Sequence, residues 1–314
     1  MVESKQQWKA WLYLAPAILL LLVFTVWPII NTVSMAFQED YCAQRALMGE
    51  TYEIGIENFR KVLDYGNFVD YLTNTMILCV ATVPISTILA LLIAVALNSI
   101  KTLQKGLQTI FFLPYVTNSI AIGMVFAAMF NVIGFRKAGG EALADSWGII
   151  NNVIMFFGGK PIDWIGANSS LAANRFVVMV YSVWNALPFK ILILLGGLQS
   201  INKQYYDAAK VDSTPRARVF TRITVPLLSP MLAYVIITGF IGGFKEYSSI
   251  VGIFGEKMGP AGDPGRLNTM VGFIYDSLPK MNYGRASAAA LILFAIIFVV
   301  TVFNNNVIKK HVHY

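Results

Sequence analysis

The sequence predicts an all-α membrane protein with six transmembrane helices and with both termini in the cytoplasm. Of its 314 residues, 56% are hydrophobic and only 13% are charged, whereas soluble domains carry about 25% charged residues. The charged residues are also unevenly spaced, so that long stretches contain none. Because an ionic side chain at the bilayer centre costs about 2.5 to 3.5 kcal/mol on insertion scales, these stretches indicate membrane spans.

Each predicted span exceeds the roughly 20 helical residues that the hydrocarbon core requires. Four stretches contain no charged residue, namely 10–37, 71–100, 106–135 and 286–308. Two further stretches carry an interruption, which is Lys190 within 175–200 and the pair Lys245 and Glu246 within 223–254. The six together predict one transmembrane domain over residues 10–308. Residues 146–159 are apolar but too short to cross, which predicts an interfacial helix.

The distribution of lysine and arginine predicts the orientation. If the amino terminus is inside, basic residues are concentrated in the short inner segments 1–9, 101–105, 202–226 and 309–314, and most acidic residues fall in the outer loops. This bias places residues 1–9 and 309–314 in the cytoplasm and loops 41–70 and 255–283 outside. The net charge of +7 fits attraction to anionic lipid headgroups, so the predicted partner is membrane lipid and not nucleic acid.

The residue inventory argues against an enzyme. The two histidines, His311 and His313, stand in the last four positions, and the cysteines, Cys42 and Cys79, lie in unlike contexts. This predicts no catalytic triad, no metal site and no disulfide framework. The sequence also lacks the G-x-x-x-x-G-K-[ST] loop that cradles nucleotide phosphates, so any ATP must be hydrolysed by a partner.

The loop at residues 202–226 is predicted to form two short helices joined by a turn. Residues 202–212 favour a helix, and Ser213 and Thr214 before Pro215 predict a hydroxyl cap on the second helix. In that second helix, which is expected to stop at Pro226, an apolar side faces away from a basic side. The apolar side consists of Val219, Phe220 and Ile223, and the basic side of Arg216, Arg218 and Arg222.

Residues 207–226 resemble the EAA loop of binding-protein-dependent ABC importer permeases, whose pattern is E-A-A-x-x-D-G-A followed by F and I-x-L-P. The positions that match in register are Ala208, Ala209, Asp212, Phe220, Ile223 and Pro226, and the departures are Asp207 for Glu, Ser213 for Gly and Val225 for Leu. A glycine at position 213 suggests a positive φ, which serine adopts at some cost. Residues 184–188, 197–199 and 244–247 resemble the flanks in the sugar-importing subfamily, close to the first permease subunit of disaccharide and glycerol-phosphate systems.

The resemblance implies a type I importer permease in the cell membrane of a prokaryote. Its partners would be a second homologous permease, two copies of a cytoplasmic ATPase that hold ATP and Mg, and an extracytoplasmic solute-binding protein. The implied ATPase-coupling residues are Asp207, Ala208, Ala209, Asp212, Ser213, Pro215, Arg216, Arg218, Val219, Phe220, Ile223 and Pro226. No cofactor is expected in this chain.

The expected cargo is a di- or oligosaccharide. Sugars are held by aromatic faces and by amide or charged groups, and the intramembrane candidates are Trp184, Asn185, Lys245, Glu246 and Tyr247. Lys245 and Glu246 have an alternative role, in pairing with other helices, and Lys190 is expected to snorkel to the inner face. Glycerol phosphate or polyamine remains an alternative cargo. A secondary transporter is a much weaker alternative, because Glu246 is the only acid well inside a predicted span.

Overall fold

A computed structural model describes residues 7–100, 104–138 and 141–309. The described part is mainly helical. The helices are α1 (Gln7–Leu21), α2 (Trp27–Phe37), α3 (Ala43–Leu47), α4 (Glu57–Leu63), α5 (Phe68–Ser99), α6 (Gln104–Phe112), α7 (Ser119–Phe130), α8 (Ile149–Phe156), α9 (Leu171–Ser200), α10 (Lys203–Val211), α11 (Arg216–Val219), α12 (Val225–Leu227), α13 (Ser229–Phe244), α14 (Ser248–Phe254), α15 (Met270–Ser277) and α16 (Tyr283–Lys309). Two antiparallel strands, β1 (Val132–Ala138) and β2 (Glu141–Trp147), form one hairpin.

The helical membrane fold is confirmed. Four helical stretches within the described ranges are long and apolar enough to cross a membrane, namely Trp8–Phe37, Phe68–Ser99, Leu171–Ser200 and Tyr283–Val307. Two bent helix pairs raise the number to six if each pair is one span. The short helix predicted within residues 146–159 is present as α8, and its position at the membrane interface stays a prediction. Most of the predicted terminal segments, residues 1–6 and 310–314, and the inner residues 101–103 lie outside the described residues.

The third predicted span is not a single helix, and it ends before residue 135. Its arms, Gly106–Val116 and Ser119–Phe130, meet at an angle of 99°. Pro114 lies in a 3-10 turn at the bend, and the Asn118 side chain then accepts hydrogen bonds from the Ile120 and Ala121 amides, which caps α7. Proline removes a backbone donor and an asparagine cap starts a new helix, so these two residues impose the break.

The fifth predicted span is broken twice. The helical segment Arg216–Leu227 turns by 67° into Ser229–Phe244, and the helix ends at Phe244 instead of continuing to residue 254. Tyr247 has φ −149° and ψ −48°, and α14 starts at the next residue. Lys245 and Glu246 therefore lie in a break between two helices, where irregular backbone is tolerated if its polar groups find partners.

Helices α7 and α14 cross in backbone contact at a pair of glycines. A Cβ atom added to Gly252 would lie 2.8 Å from the Gly123 Cα atom and 2.9 Å from the Ile120 carbonyl oxygen. A Cβ on Gly123 would lie 2.6 Å from the Gly252 Cα atom. Real Cβ atoms do not approach backbone this closely, so both positions require glycine. The crossing holds α14 against the cluster of buried side chains that includes Tyr181 and Ile250.

Residue contacts divide the described chain into two compact units. One contains the residues up to Phe68 together with Phe273–Ala295, and the other contains Val69–Gly272 with the residues from Ile296 onward. In the first unit, the buried Asn58 amide donates to the carbonyl oxygens of Ala36 (3.1 Å) and Gln38 (2.7 Å). In the same unit the Asp40 carboxylate lies 2.7 Å from the Lys61 ammonium and raises the pKa of that lysine.

The second unit contains both candidate sites described below. Its buried side chains form two clusters. The first is built around Leu78, Val177, Tyr181 and Ile250. The second is built from Ala90, Ala94 and Leu97 of α5, Ile191, Leu194, Leu195 and Leu198 of α9, and Leu228 and Val235. The second cluster places the bend at Leu228 against α5 and α9, so the loop before the bend is anchored to the long helices.

Candidate functional site

A cavity of about 270 Å³ lies among α5, α9 and α13. Its lining is mainly polar groups, glycines and aromatic rings. The lining residues are Thr82, Val83 and Ser86 from α5, Tyr115 from the 3-10 turn, Ser182, Asn185, Ala186, Phe189 and Lys190 from α9, Thr238, Gly239, Gly242 and Gly243 from α13, and Glu246. The rings of Tyr115 and Phe189 are stacked with centroids 5.8 Å apart. Hydroxyl, amide and charged groups beside aromatic rings form the type of surface that binds a polyhydroxylated solute.

The glycines of α13 give α13 its close approach to α5. A Cβ atom on Gly243 would lie 2.8 Å from the Cys79 sulfur, and one on Gly239 would lie 3.1 Å from Val83 Cγ1 and 3.2 Å from Lys190 Nζ. The Cys79 thiol also donates to the Phe240 carbonyl at 3.6 Å. The spacing Gly239-x-x-x-Gly243 is therefore a packing motif within this chain, because small residues let helix backbones approach.

Of the five predicted substrate-path residues, the cavity brings together two, Asn185 and Glu246. The Trp184 ring instead packs against Phe126 (centroids 5.2 Å apart) in the core. Tyr247 packs against the same core cluster, and Lys245 is an exposed residue at the end of α13. The fifth helix was predicted to be continuous, but it breaks after Phe244, and Lys245 and Tyr247 are not among the described residues that line the cavity.

Glu246 has a structural role in addition to its place at the cavity. Its Oε1 atom accepts hydrogen bonds from the backbone amides of Tyr247 and Ser249, each at 3.1 Å. The carboxylate therefore satisfies two donors at the start of α14, where a helix favours negative charge. This partner is local backbone and not a cation on another helix, which was the pairing considered from the sequence.

Lys190 does not snorkel, contrary to the prediction. Its side chain is only 4% exposed. Its ammonium donates to Ser86 Oγ (2.7 Å), Thr87 Oγ1 (2.9 Å) and the Val83 carbonyl (3.2 Å). The three donors of the ammonium thus have three acceptors on α5, and no carboxylate of the described chain lies within ion-pair distance. The sequence contains one signal for this buried lysine, which is the adjacent pair of hydroxyl residues Ser86 and Thr87 in a charge-free span.

The loop predicted to couple to an ATPase is a helical hairpin, as expected. Its first helix, α10, is capped by the Asn202 side chain, which accepts from the Gln204 amide. The second arm runs through α11, a π turn at Phe220–Thr224 and α12. The Tyr206 hydroxyl lies 3.3 Å from the Thr224 hydroxyl and ties the two arms together. The hairpin is therefore a defined element and not a flexible linker.

Two details of the second arm differ from the prediction. Pro215 itself occupies the N-cap position with ψ 144°, and no side-chain hydroxyl caps the helix. The helix does not stop at Pro226, because α12 carries it to Leu227. The preceding π turn changes the hydrogen-bond spacing, and this accommodates a residue that has no amide hydrogen.

The exposure of the predicted coupling residues is uneven. The exposed ones are Asp207, Ala208, Asp212, Ser213, Pro215, Arg216 and Arg218, whereas Val219, Phe220, Ile223 and Pro226 are half-buried and Ala209 is buried. Lys210 lies 2.8 Å from Asp207 and lowers the pKa of that carboxylate. The basic side of the hairpin is thus free, and part of the apolar side packs on its own chain. Val211, at 85% exposure, is an accessible apolar residue that the sequence analysis missed.

The turn of the hairpin explains the departure at position 213. Ser213 has φ +51°. The Thr214 amide donates to the Ala209 carbonyl at 2.9 Å, and the Ser213 amide donates to the Lys210 carbonyl at 3.0 Å. This pair of bonds defines a Schellman motif, in which the residue with positive φ is most often glycine. Ser213 therefore adopts the left-handed backbone conformation that glycine usually has at this position, and its side chain makes that conformation strained.

Replacing Ser213 with glycine is expected to stabilise this turn. A side chain in the left-handed region costs about 1 to 2 kcal/mol, and the greater flexibility of glycine in the unfolded chain offsets part of this gain. Amide exchange at Thr214 should therefore slow by about threefold in Ser213→Gly. Ser213→Ala keeps the Cβ atom and serves as the control without a gain. Faster exchange in the glycine variant would contradict the assignment of strain.

Comparison with known proteins places this architecture in a family. Residues 86–312 match the family described as "Binding-protein-dependent transport system inner membrane component". The chain is 28% identical to the arabinooligosaccharides transport system permease protein AraP of Halalkalibacterium halodurans, over 95% of this chain and 87% of that protein. It is 27% identical to the sn-glycerol-3-phosphate transport system permease protein UgpA of Agrobacterium fabrum, over 97% and 96% of the two chains.

A solved structure has the same fold. A chain of a bacterial ABC transporter involved in the import of the acidic polysaccharide alginate aligns with a TM-score of 0.76 and 22% identity, over 98% of this chain and 96% of that one. The family match covers the hairpin, helices α9 and α13, the part of α5 from residue 86 onward, and the final span. The chain therefore belongs to the family of inner membrane components of binding-protein-dependent transport systems.

Proposed function

We propose that this chain is one of two permease subunits of an ATP-driven importer that carries a di- or oligosaccharide across a prokaryotic cell membrane. A solute-binding protein outside would deliver the sugar, and two copies of a cytoplasmic ATPase would hold ATP and Mg. Relatives named as permeases for arabinooligosaccharides and lactose support the sugar class. The relative named for sn-glycerol-3-phosphate keeps a phosphorylated polyol as the alternative.

The observation that carries the proposal is the covalent path from the hairpin to the cavity. The second arm of the hairpin ends at Leu228, which is fully buried, and α13 starts at the next residue. Helix α13 supplies Thr238, Gly239 and Gly243 to the cavity. Because the second arm joins α13 directly at this bend, a displacement of the hairpin by an ATPase would be transmitted to this wall of the cavity.

The cavity chemistry supports a neutral or weakly charged polyol. The stacked rings of Tyr115 and Phe189 offer apolar faces for sugar C–H groups. Asn185 and Glu246 can pair with sugar hydroxyls, and both a cation, Lys190, and an anion, Glu246, line the same space. The cavity therefore carries no excess of one charge. A cationic polyamine is less well suited, because Glu246 is the only acid in the lining and already bonds the α14 amides.

The proposal is tested by Phe220→Asp in the complete complex reconstituted in liposomes. An acidic side chain on the docking side of the hairpin should weaken ATPase engagement, since truncating an interface anchor commonly costs about 2 kcal/mol, or roughly thirtyfold. Transport and solute-stimulated ATP hydrolysis should then fall together. The cargo class is measured in the same system by offering the binding protein neutral oligosaccharides, glycerol phosphate and polyamine.

Two further variants separate docking from folding. Phe220→Leu keeps an apolar side chain at the half-buried position and should retain coupling. Val211→Asp changes an 85% exposed residue and should weaken coupling without altering thermal stability. Full coupling in both acidic variants would refute the role of the hairpin, and uptake of polyamine but of no saccharide would refute the cargo class.

A further inference from the structure

A short segment, residues 266–270, follows the loop after α14 and contacts the cavity-lining residue Glu246 through a hydrogen bond from Thr269. We refer to this segment as the strap. Thr269 in the strap is fully buried, and its hydroxyl donates a hydrogen bond of 3.0 Å to the backbone carbonyl of Glu246. Glu246 lies in the break between α13 and α14, where the helical ladder is interrupted. Buried backbone groups at such a break need a partner from elsewhere, and Thr269 provides one.

Glu246 is consequently held from two sides. Its carboxylate oxygen Oε1 accepts from the Tyr247 and Ser249 amides, both at 3.1 Å. Its carbonyl oxygen accepts from Thr269. The first contact fixes the carboxylate relative to α14, and the second fixes the backbone relative to the strap. The position of this carboxylate at the cavity wall therefore depends on both.

The strap is itself anchored by Asn74 of α5. The Asn74 amide nitrogen donates to the carbonyl oxygens of Arg266 (2.9 Å) and Asn268 (3.0 Å). The Asn74 oxygen accepts from the Arg175 guanidinium of α9 at 2.8 Å. Asn74 is 2% exposed, and both its side-chain nitrogen and its side-chain oxygen have hydrogen-bond partners. A buried amide with this many partners holds one geometry, because any displacement leaves a polar group unpaired.

Two more bonds complete the connection between anchor and break. The Asn268 side-chain oxygen accepts from the Thr269 amide at 2.8 Å. The Met270 amide donates to the Thr75 hydroxyl at 3.0 Å, directly beside Asn74 in α5. The path from Asn74 through the strap to Glu246 thus consists of hydrogen bonds among buried and half-buried groups.

We propose that Thr269 and Asn74 are positioning residues for transport, which set the place of the Glu246 carboxylate and so the passage of solute through the cavity. This inference rests on the proposed function, because it requires the cavity to carry the solute. The strap continues from residues 255–265, which face outside in the predicted orientation. A displacement of that loop moves Glu246, and the strap links the outer surface to the cavity.

The first experiment measures Glu246 in the full chain without any transport assay. Thr269→Val removes the hydroxyl and keeps the shape, and Thr269→Ser restores the hydroxyl. Hydrogen exchange of the Tyr247 and Ser249 amides should be about threefold to tenfold faster in Thr269→Val and near wild type in Thr269→Ser. Asn74→Ala should act in the same direction. Unchanged exchange in Thr269→Val and Asn74→Ala would overturn the proposal.

Asn151→Ala is the matched control for Asn74→Ala. Asn151 is also fully buried and also holds a loop, through the Ile162 backbone and the Trp164 indole. It has no bond to the strap. Its variant should therefore leave exchange at Tyr247 and Ser249 unchanged. Faster exchange of these amides in Asn151→Ala would show a general loosening of the structure and would equally overturn the assignment.

The second experiment is a double-mutant cycle with Glu246→Gln in the reconstituted complex. Thr269→Val should lower the transport rate at saturating loaded binding protein by about threefold to tenfold. In the Glu246→Gln background the same change should have little further effect, because both act through one group. Independent, multiplying effects would contradict a role through Glu246. Absence of saccharide transport by the wild-type complex would instead count against the proposed function. The hydrogen-exchange experiment would still test whether Thr269 and Asn74 position Glu246.

Discussion

Replacing Gly252 with alanine should destabilise the protein markedly, and replacing it with leucine should prevent folding. The added Cβ atom would lie 2.8 Å from the Gly123 Cα atom and 2.9 Å from the Ile120 carbonyl oxygen. These are backbone atoms, so no side chain can rotate to make room. Overpacking of a tight core costs about 1 to 3 kcal/mol, and we expect Gly252→Ala at the upper end of this range. The melting temperature of the purified chain measures it.

Gly196→Ala is the control for this experiment. Gly196 lies inside α9, and a Cβ atom added there would meet nothing within 4 Å. Alanine favours a helix by about 1 kcal/mol over glycine, so this variant should melt at the same or a higher temperature. The two glycines look alike in the sequence. The structure predicts that alanine lowers the melting temperature at position 252 and does not lower it at position 196. Equal melting temperatures in the two alanine variants would show that α7 and α14 do not cross in backbone contact.

The second large effect concerns the acceptors of Lys190. The buried Lys190 ammonium has three acceptors, and the double variant Ser86→Ala, Thr87→Val removes two of them. Only the Val83 carbonyl then remains. Hydrogen bonds to charged groups contribute about 1.5 to 3 kcal/mol each. We therefore expect the double variant to lose about 3 to 6 kcal/mol of stability, measured as a fall in melting temperature.

Removing Lys190 itself should cost much less. In Lys190→Met the Ser86 and Thr87 hydroxyls still donate to the Thr82 carbonyl (2.6 Å) and the Val83 carbonyl (2.7 Å) of their own helix. The substitution also removes a buried charge that has no counter-charge among the described residues, and such replacements are often neutral for stability. Lys190→Met should therefore rescue the double variant. A melting temperature that falls further on adding Lys190→Met would show that the ammonium is not bound by these hydroxyls.

Hydropathy and charge in the sequence were sufficient to predict the approximate positions of the spans. This succeeded because the cost of a charge in hydrocarbon acts residue by residue and needs no knowledge of neighbours. The hairpin at residues 202–226 was equally predictable, since its turn and its helix start depend on local residues such as Asn202 and Ser213. Even the unusual backbone of Ser213 followed from its place in a pattern that normally has glycine.

The 99° angle within the third span and the break in the fifth span were not predicted. The Asn118 cap needs a helix start that hydropathy does not show. At the break after Phe244, the Glu246 carbonyl accepts a hydrogen bond from Thr269, which is 23 residues away in the chain. A continuous helix was therefore assumed, and Lys245, Glu246 and Tyr247 became candidates together because of their similar depth in that span. Only the contact between distant segments shows that Glu246 lines the cavity and the other two do not.

The chain's class, the approximate positions of its spans and its hairpin follow from local composition and short patterns, because lipid insertion, helix caps and turns are decided within a few residues. The cavity, the bond set of Lys190 and the different constraints on Gly196 and Gly252 depend on which helices meet. Those contacts join residues far apart in the chain, such as Ser86 and Lys190, which are separated by 104 positions. Hydrogen bonds and close packing at such separations exist only after folding, so the tertiary structure alone assigns these roles.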